Sequence, residues 1–490
     1  MHRRFSRKKK ASTEVWCGEN YDTLPNVKVA PLVPDIFASY SGPERGLAHI
    51  ADVESAKSDE GNANCRKSNK KAEIAGARSW SMKSRKAYGI CMSLYDQHPI
   101  NGKISGDPIA DCFAVMARKN NSLMIVADGV NWGEKSKLAA RCAVFGCMRD
   151  MNEKLFCAGK PIKNTHEAFT LLLKSLEVAH QKILEHQGGL TTLCVGLVCP
   201  VKDSKQFVVS IVNVGDSLGY VFSKSHGVRE ITTGSHDIQS ERDIRDAGGA
   251  LGPVNGNEPE LHNLTCSLTF LDPGDIVYLT TDGISDNFDP VVTKIAMPKR
   301  RSQSESDAKE DKDDDEDDSS LCCTEDGRPE LEPHERHQYA VKEMERIIHE
   351  FELFTENSIS AQELCGALLQ HVLRLTDSKR KVLENPDLYG KRLKAKDRKR
   401  RDSEIVAKMS KAPGKLDHAS IVAYEVGHYH GNDDEDYEIE SEEELDNVST
   451  HVPEETNGET SSTTHPAPPP TQELRDPSFF KKFEGSEIFV

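Results

Sequence analysis

Hydrophobic residues recur along the middle of the chain in two spacings, and each spacing predicts a different kind of element. Phe113–Arg118 and Ser122–Ala127 are short apolar runs separated by a polar turn, which predicts two neighbouring antiparallel strands. Lys135–Met151 and Ala168–Leu184 instead carry apolar residues at helical spacing, which predicts two amphipathic helices. The folded region therefore begins with strands and continues with helices.

Further apolar runs rich in Val and Ile predict that strands resume after the helices. These runs are Thr192–Val198, Phe207–Val214, Gly219–Phe222, Val228–Thr232, Asp275–Thr281 and Ala419–Val426. Two more helices are predicted at Tyr339–Phe354 and Ala361–Leu375, ahead of the last strand. Strands and helices are grouped along the chain and do not alternate. This grouping favours antiparallel sheets covered by helices, an α+β fold, over a parallel doubly wound sheet.

Composition divides the 490 residues into a packed region and flanks with few apolar anchors, since only 37% are hydrophobic and 29% are charged. Residues 1–85 lack sustained periodicity and are predicted to be a largely disordered region with a basic start. Residues 86–428 form the predicted domain, with an acidic insert at 298–333 and a basic insert at 376–415. Residues 429–490 are acidic, then rich in Pro, Ser and Thr, and predict a disordered tail.

Charge and cysteine usage narrow the classes of protein that the chain can belong to. The net charge of −17 argues against general nucleic-acid binding. The thirteen cysteines are scattered, which argues against a secreted disulfide framework and a zinc site. No apolar run reaches the ~20 residues of a membrane span, and the basic start MHRRFSRKKK is not followed by a hydrophobic segment. We expect an intracellular protein, cytoplasmic or nuclear.

The basic run KRLKAKDRKRR leaves three interpretations open. It could contact nucleic acid or a membrane surface, serve as an import signal, or pair with the acidic insert of the same chain. Interleaved aromatic residues, which nucleic-acid binding favours, are missing apart from Tyr389. We therefore expect no nucleic-acid partner. No heptad pattern indicates an oligomeric state.

Four aspartates share one local setting, at the end of a predicted strand or beside one. Asp111 and Asp417 each precede a strand, whereas Asp128 and Asp282 each end a strand and are followed by glycine. Taken singly, Asp–Gly after a strand is an ordinary turn signal. Taken together, carboxylates gathered at a sheet's rim would repel one another unless a cation neutralised them. Oxygen ligands of this kind suit Mg²⁺ or Mn²⁺.

Seven short motifs, met in one order, carry a resemblance to a known family. They read ADCFAV, MIVADGVNWG, GGLTTLCVGLV, VNVGDSLGYVFS, ERDIRDAGGAL, TTDGISDNFD and LDHASIVAYEV, and the resemblance spans roughly residues 86–428. In this order they resemble the motifs of the protein phosphatase 2C (PP2C) family, the metal-dependent serine/threonine phosphatases. The resemblance implies a PP2C-like α-β-β-α sandwich, in which two antiparallel sheets are flanked by helices. This agrees with the α+β fold that the grouping of elements favours.

The resemblance also implies roles for individual residues. Asp111 and Asp128 would coordinate metal through their carboxylates, with Asp128 bridging two ions, and Gly129 would offer its backbone carbonyl. Asp282 and Asp417 would complete the shell of one ion. The implied cofactors are two Mg²⁺ or Mn²⁺ ions, and the implied substrate is a phosphoprotein. The implied reaction is hydrolysis of phosphoserine or phosphothreonine by a water that bridges the ions, with no catalytic side chain beyond that metal-bound water.

Two further aspartates match family positions. We expect Asp216 to shape the turn after its strand and Asp286 to cap the start of a helix.

Several auxiliary groups depart from the family pattern. Val130 stands where many members have a histidine that is a candidate general acid, Ala110 replaces a glutamate, and His418 replaces an asparagine. The family's phosphate-clamping arginine has no match, and only Lys103 lies nearby. Two hypotheses follow. The chain is an active phosphatase of reduced rate, or it is a catalytically weak or inactive pseudophosphatase that acts as a binding or scaffold module.

Overall fold

The computed structural model of the chain describes residues 13–60, 73–236, 247–299, 327–355, 357–389 and 395–429. In chain order, its strands are Val15–Gly18 (β1), Ile36–Gly42 (β2), Ser81–Met82 (β3), Ala87–Ser93 (β4), Cys112–Arg118 (β5), Asn121–Ala127 (β6), Leu193–Pro200 (β7), Phe207–Val214 (β8), Leu218–Ser223 (β9), Gly227–Glu230 (β10), Ala250–Asn255 (β11), Glu258–Glu260 (β12), Thr265–Leu271 (β13), Ile276–Thr280 (β14), Met297–Pro298 (β15), Glu330–Leu331 (β16) and His418–Glu425 (β17). Its α-helices are Leu47–Glu60 (α1), Glu134–Asn152 (α2), Thr165–Glu185 (α3), Asp282–Ser285 (α4), Pro333–Thr355 (α5), Ala361–Leu383 (α6) and Ala395–Lys411 (α7).

Two antiparallel sheets form the centre of the molecule. The larger sheet has eight strands in the order β1-β13-β8-β7-β6-β5-β2-β3, and the smaller has five in the order β10-β9-β14-β17-β4. Neighbouring strands run antiparallel throughout both sheets. The hairpin β11-β12 and the short parallel pair β15-β16 lie outside them. The predicted α+β class with antiparallel sheets is confirmed.

Side-chain alternation along the strands assigns each face of a sheet to a different core. In β5, Phe113 and Val115 enter the core between the two sheets, whereas Ala114 and Met116 enter the core that α2 and α3 cover. In β17, Val422 likewise faces the other sheet. Because both faces of these strands are covered, β5, β6, β7 and β8 are buried along their whole length.

The outer face of the smaller sheet is covered by α5 and α6. Ile421 of β17 and Tyr278 of β14 share a core with Met344 of α5 and Leu368 of α6. The order of layers is therefore helices, larger sheet, smaller sheet, helices. This is the α-β-β-α sandwich that the sequence resemblance implied.

The predicted helices are found with small differences at their ends. The prediction Lys135–Met151 corresponds to α2, and the prediction Ala168–Leu184 corresponds to α3. Asn164 is the N-cap of α3, because its side chain accepts a hydrogen bond from the Glu167 amide at 2.9 Å. The basic insert predicted at 376–415 differs from expectation, since α6 runs into it and α7 forms most of its second half.

The N-terminal region also differs from its prediction as largely disordered. Ile36–Gly42 pairs with β5, and Val15–Gly18 pairs with β13 at the edge of the larger sheet, with Val15 opposite Thr269. The partner strands lie far away in the chain. The local sequence pattern therefore does not predict these two short strands. Both strands extend the larger sheet beyond the domain boundary that composition suggested.

Some predictions lie outside the described residues. These are most of the acidic insert (300–326), the stretch 237–246 that contains most of the motif ERDIRDAGGAL, and the tail from 430 onward. Among the described helices, none combines the length and apolarity needed to cross a membrane. Cys142, Cys147, Cys194 and Cys199 are buried and form no disulfide among the described residues, in line with a role as small core residues.

Candidate active site

The four predicted aspartates lie at the ends of paired strands. Asp111 directly precedes β5 and Asp128 directly follows β6, and the register pairs Cys112 with Ala127. The two aspartates therefore leave the larger sheet side by side. In the smaller sheet, Asp282 comes after β14 and Asp417 comes before β17, and these two strands are also antiparallel neighbours. Each sheet thus contributes one pair of carboxylates at one end.

Hydrogen bonds show that these two sheet ends meet. The hydroxyls of Thr281 and Ser420, both from the smaller sheet's end, donate to Asp111 Oδ2 at 2.8 Å each. Carboxylate oxygens of Asp128, Asp216 and Asp282 lie within 4.8 Å of one another. Residues far apart along the polymer therefore converge at one end of the sandwich.

Close backbone packing explains the glycines that follow two of these aspartates. A Cβ on Gly129 would lie 2.6 Å from the carbonyl oxygen of Ser136 and 2.8 Å from that of Ala110. A Cβ on Gly283 would collide with the carbonyl oxygen of His418. Both Asp–Gly pairs are thus fixed by chain crossings at the site, since only glycine leaves room for them. That Gly129 offers its carbonyl to a metal stays a prediction.

The carboxylates at this end are short of positive charge. Burial raises the pKa of Asp128 well above its usual range, and the neighbouring charges of Asp111 and Asp282 raise it further. Burial and the charge of Asp216 likewise raise the pKa of Asp282. Asp111 Oδ1 and Asp282 Oδ1 are buried and have no hydrogen-bond partner in the described part of the chain. Buried polar atoms are normally paired, so these oxygens indicate a missing partner.

One lysine contributes positive charge to the cluster. The Lys415 ammonium contacts Asp282 Oδ2, and it lies 3.0 Å from Asp286 Oδ2 and 3.0 Å from Asp417 Oδ2. Burial of this group opposes its charge, but the carboxylates of Asp286, Asp282 and Asp417 outweigh burial and hold the pKa of Lys415 above its usual value. One edge of the cluster is therefore neutralised by the chain itself.

Asp417 is held by several protein donors. Its Oδ1 accepts from the Tyr95 hydroxyl at 3.2 Å and from the His418 amide at 2.9 Å, while Oδ2 faces Lys415. The Trp132 indole in turn donates to the Tyr95 hydroxyl at 2.8 Å. Trp132 is 62% exposed, so it marks the open side of the site.

His418, which stands in place of the family's asparagine, positions the chain that leads to Asp111. Its Nδ1 accepts from the Ala110 amide at 3.2 Å, and its Nε2 lies 3.1 Å from the carbonyl oxygen of Gly106. Because Nδ1 accepts, Nε2 carries the proton and donates to that carbonyl. The imidazole thereby ties β17 to the segment before β5.

The structure adds to the role of Asp216, corrects that of Asp286 and brings in Lys415. Asp216 lies in the bend after β8, as predicted, and its carboxylate also joins the cluster with Asp128 and Asp282. Asp286 does not cap a helix start: Thr281 is at the start of α4, and Asp286 follows its end. Lys415 was not singled out by the sequence, and its one signal was a lysine two positions before Asp417. Metal binding by Asp111, Asp128, Asp282 and Asp417 stays a prediction.

The residues present fit a hard divalent cation on the side of the cluster away from Lys415. Asp128, Asp216 and Asp282 bring carboxylate oxygens close together, and Asp282 Oδ1 is one of the buried atoms without a hydrogen-bond partner among the described residues. Oxygen donors in this arrangement suit Mg²⁺ or Mn²⁺.

Comparison with known proteins finds a PP2C-like relative of this chain. The PP2C-like domain-containing protein CG9801 of Drosophila melanogaster is 35% identical over 452 residues, covering 74% of this chain and 64% of that protein. The chain is therefore similar, over most of its own length, to a protein that carries a PP2C-like domain. It spans less than two thirds of its relative's length. No protein-family model matches the chain.

Solved structures offer weaker likenesses to this PP2C-like domain. Serine/threonine phosphatase Stp1 from Staphylococcus aureus is 14% identical with a TM-score of 0.32, covering 70% of this chain and 95% of that one. The catalytic domain of the phosphatase PstP, solved with two manganese ions, is 12% identical with a TM-score of 0.32, covering 70% and 99%. The sandwich architecture rests on the sheets and layers described above.

Proposed function

We propose that the PP2C-like domain is a serine/threonine phosphatase that depends on Mg²⁺ or Mn²⁺ and acts on a phosphoprotein. The observation that supports this most is the gathering of carboxylates from separate chain segments at one end of the sandwich. Asp111 and Asp282 each bury an oxygen without a hydrogen-bond partner in the described chain. Buried like charges are expensive to keep without a cation, so their arrangement favours a metal-dependent activity.

The chain's own residues would prepare the site for this chemistry. Asp128, Asp216 and Asp282 would hold the cation, and the Thr281 and Ser420 hydroxyls fix the orientation of Asp111. When bound, Mg²⁺ or Mn²⁺ supplies Lewis acidity that makes water nucleophilic at neutral pH. The exposed Trp132, which donates to the Tyr95 hydroxyl, would face a phosphorylated side chain that approaches Asp417 from solvent.

The activity test is hydrolysis of a small aryl phosphate by the full-length protein with Mn²⁺. We expect Asp128→Asn to lower the rate by roughly 100-fold or more, because it removes a carboxylate from the cation's binding cluster. Asp203→Asn is the matched control, since Asp203 lies on an exposed turn and the substitution is chemically the same. Equal rates for wild type and Asp128→Asn would count against the proposal.

A non-catalytic binding or scaffold module is the second candidate. It is favoured by Lys415, which already neutralises one edge of the cluster, and by Val130 and Ala110, which replace a proton donor and a glutamate of the family pattern. In the same assay, this candidate predicts that wild type hydrolyses no faster than Asp128→Asn, while a separate titration shows that wild type binds Mn²⁺. The expected cytoplasmic or nuclear location is part of either proposal.

A further inference from the structure

We propose that the Lys415 ammonium is a built-in cation that takes the place of one divalent ion, so that the site binds one Mg²⁺ or Mn²⁺ where the family resemblance implied two. The inference rests on the proposed metal dependence and refines it. It assigns the cluster two unlike edges: a metal edge formed by Asp128, Asp216 and Asp282, and a lysine edge formed by Asp282, Asp286 and Asp417.

The Lys415 ammonium pairs with three carboxylates, through hydrogen bonds to Asp282 and Asp286 and an ion pair with Asp417. An ammonium group carries three N–H bonds and accepts none. Lys415 Nζ meets three separate carboxylates, those of Asp282, Asp286 and Asp417. Its side chain is only 19% exposed, so little of the charge is left for solvent. The ammonium thus neutralises the carboxylates at this edge, as a metal ion would.

The backbone of Lys415 is fixed, which distinguishes it from a lysine that folds over from the surface. Its amide donates to Asn287 Oδ1 at 2.7 Å, and its carbonyl accepts from Asn287 Nδ2 at 3.1 Å. Asn287 is fully buried and also donates to the carbonyl of Gly283 at 2.8 Å. The loop that carries Lys415 is therefore tied to the same turn that carries Asp282.

The two edges differ in how many of their carboxylate oxygens are still open to a metal ion. At the lysine edge, Asp417 Oδ1 already accepts from Tyr95 and the His418 amide, and Asp417 Oδ2 forms an ion pair with Lys415. At the metal edge, Asp282 Oδ1 is buried and has no hydrogen-bond partner among the described residues. A second dication between Asp282 and Asp417 would need the carboxylate oxygens that the ammonium already contacts, so it would have to displace the ammonium.

The test is the number of Mn²⁺ ions bound per full-length chain, measured by titration calorimetry and by electron paramagnetic resonance of free Mn²⁺. We expect one ion for wild type and two for Lys415→Met, which keeps the length of the side chain and removes its charge. Lys411→Met is the matched control, because Lys411 is exposed at the end of α7. It should bind one ion, as wild type does.

Folding is followed in parallel, because Lys415→Met leaves carboxylates without their partner. Thermal unfolding in a chelator should show a lower Tm for Lys415→Met than for wild type, and Mn²⁺ should raise its Tm more. If the variant does not fold without metal, Lys415→Met/Asp286→Asn removes one carboxylate together with the ammonium. The double variant is also expected to bind two ions.

The outcomes separate this inference from the proposed function. Two ions in wild type, or one ion in both folded Lys415 variants, would overturn the lysine's role and leave metal dependence standing. Absence of Mn²⁺ binding in wild type and variants alike would instead refute the proposed function, and the inference with it. One ion in wild type and two in the variants supports both.

Discussion

Two regions of the molecule bury carboxylates, and the pKa values shift in opposite directions in the two regions. The first is the Glu230 cluster, formed by Glu230, Thr232, His236 and His337. Glu230 Oε1 accepts from the Thr232 hydroxyl and lies 2.9 Å from His236 Nε2, while Oε2 lies 2.7 Å from His337 Nε2. Burial alone would raise the pKa of Glu230, but the two histidines lower it to about 2.

The second region is the aspartate cluster at the end of the sandwich. There, burial and neighbouring carboxylates raise the pKa values of Asp128 and Asp282 together. The comparison shows that burial does not decide the direction of the shift, because both regions are buried. The balance between neighbouring carboxylates, which raise the pKa, and nearby donors and cations, which lower it, decides the direction. A carboxylate satisfied by its own chain joins elements of the fold, here β10 and α5. One left short of donors indicates a ligand.

The strongest test of this contrast is to neutralise Glu230. Glu230→Gln should lower the free energy of unfolding at pH 7 by on the order of 3 kcal/mol, because the charged partner of His236 and His337 is lost. The stabilisation comes from a pKa that folding depresses from 4.5 to about 2. It is therefore fully present above pH 4.5 and is lost as the pH falls towards 2.

Urea unfolding of both proteins across this pH range checks the prediction. The stabilities of wild type and Glu230→Gln should converge as the pH falls. Glu258→Gln, at an exposed position, should unfold like wild type. A gap between wild type and Glu230→Gln that stays constant from pH 7 to pH 3 would contradict the role assigned to the charge.

A smaller effect is expected where the aspartate cluster does have donors. Ser420→Ala removes one of the two hydroxyls that donate to Asp111 Oδ2. We expect a loss of about 2 kcal/mol in the metal-free protein, which is typical of a hydrogen bond to a charged group. Urea unfolding measures it, with the exposed Ser403→Ala as the control. No loss would mean that Asp111 does not depend on this donor.

The smallest effect has the opposite sign and sharpens the comparison most. Asp128→Asn should raise the free energy of unfolding in a chelator at pH 7 by about 1 kcal/mol, because it removes a charge that the folded state holds at a raised pKa. The same variant is expected to lose hydrolysis. Urea unfolding of Asp128→Asn beside Asp203→Asn measures the gain. If Asp128→Asn instead lowers the free energy of unfolding, Asp128 stabilises the fold as Glu230 does.

The central strands could be predicted because their signal is local. Phe207–Val214 is found with the predicted bounds, since a strand covered on both faces is a continuous apolar run. The strand Ile36–Gly42 was not predicted, because its partner β5 lies far along the chain. The helix α7 was hidden within a run of basic residues, whose charge indicates solvent exposure but not conformation.

The candidate site divides in the same way. Asp111, Asp128, Asp282 and Asp417 could be selected from the sequence because each lies at a strand end within a motif. Lys415 could not, since nothing in the spacing of a lysine two residues before an aspartate says where its ammonium lies.

The sequence by itself determined the α+β class, the strand-end aspartates and the glycines beside them, because these follow from local periodicity and backbone geometry. Only the tertiary structure decided which charges meet: that Asp216 joins Asp128 and Asp282, that Lys415 contacts three carboxylates, and that His236 and His337 share Glu230. The physical reason is that electrostatic interactions depend on distance through space and on burial, and chain order fixes neither.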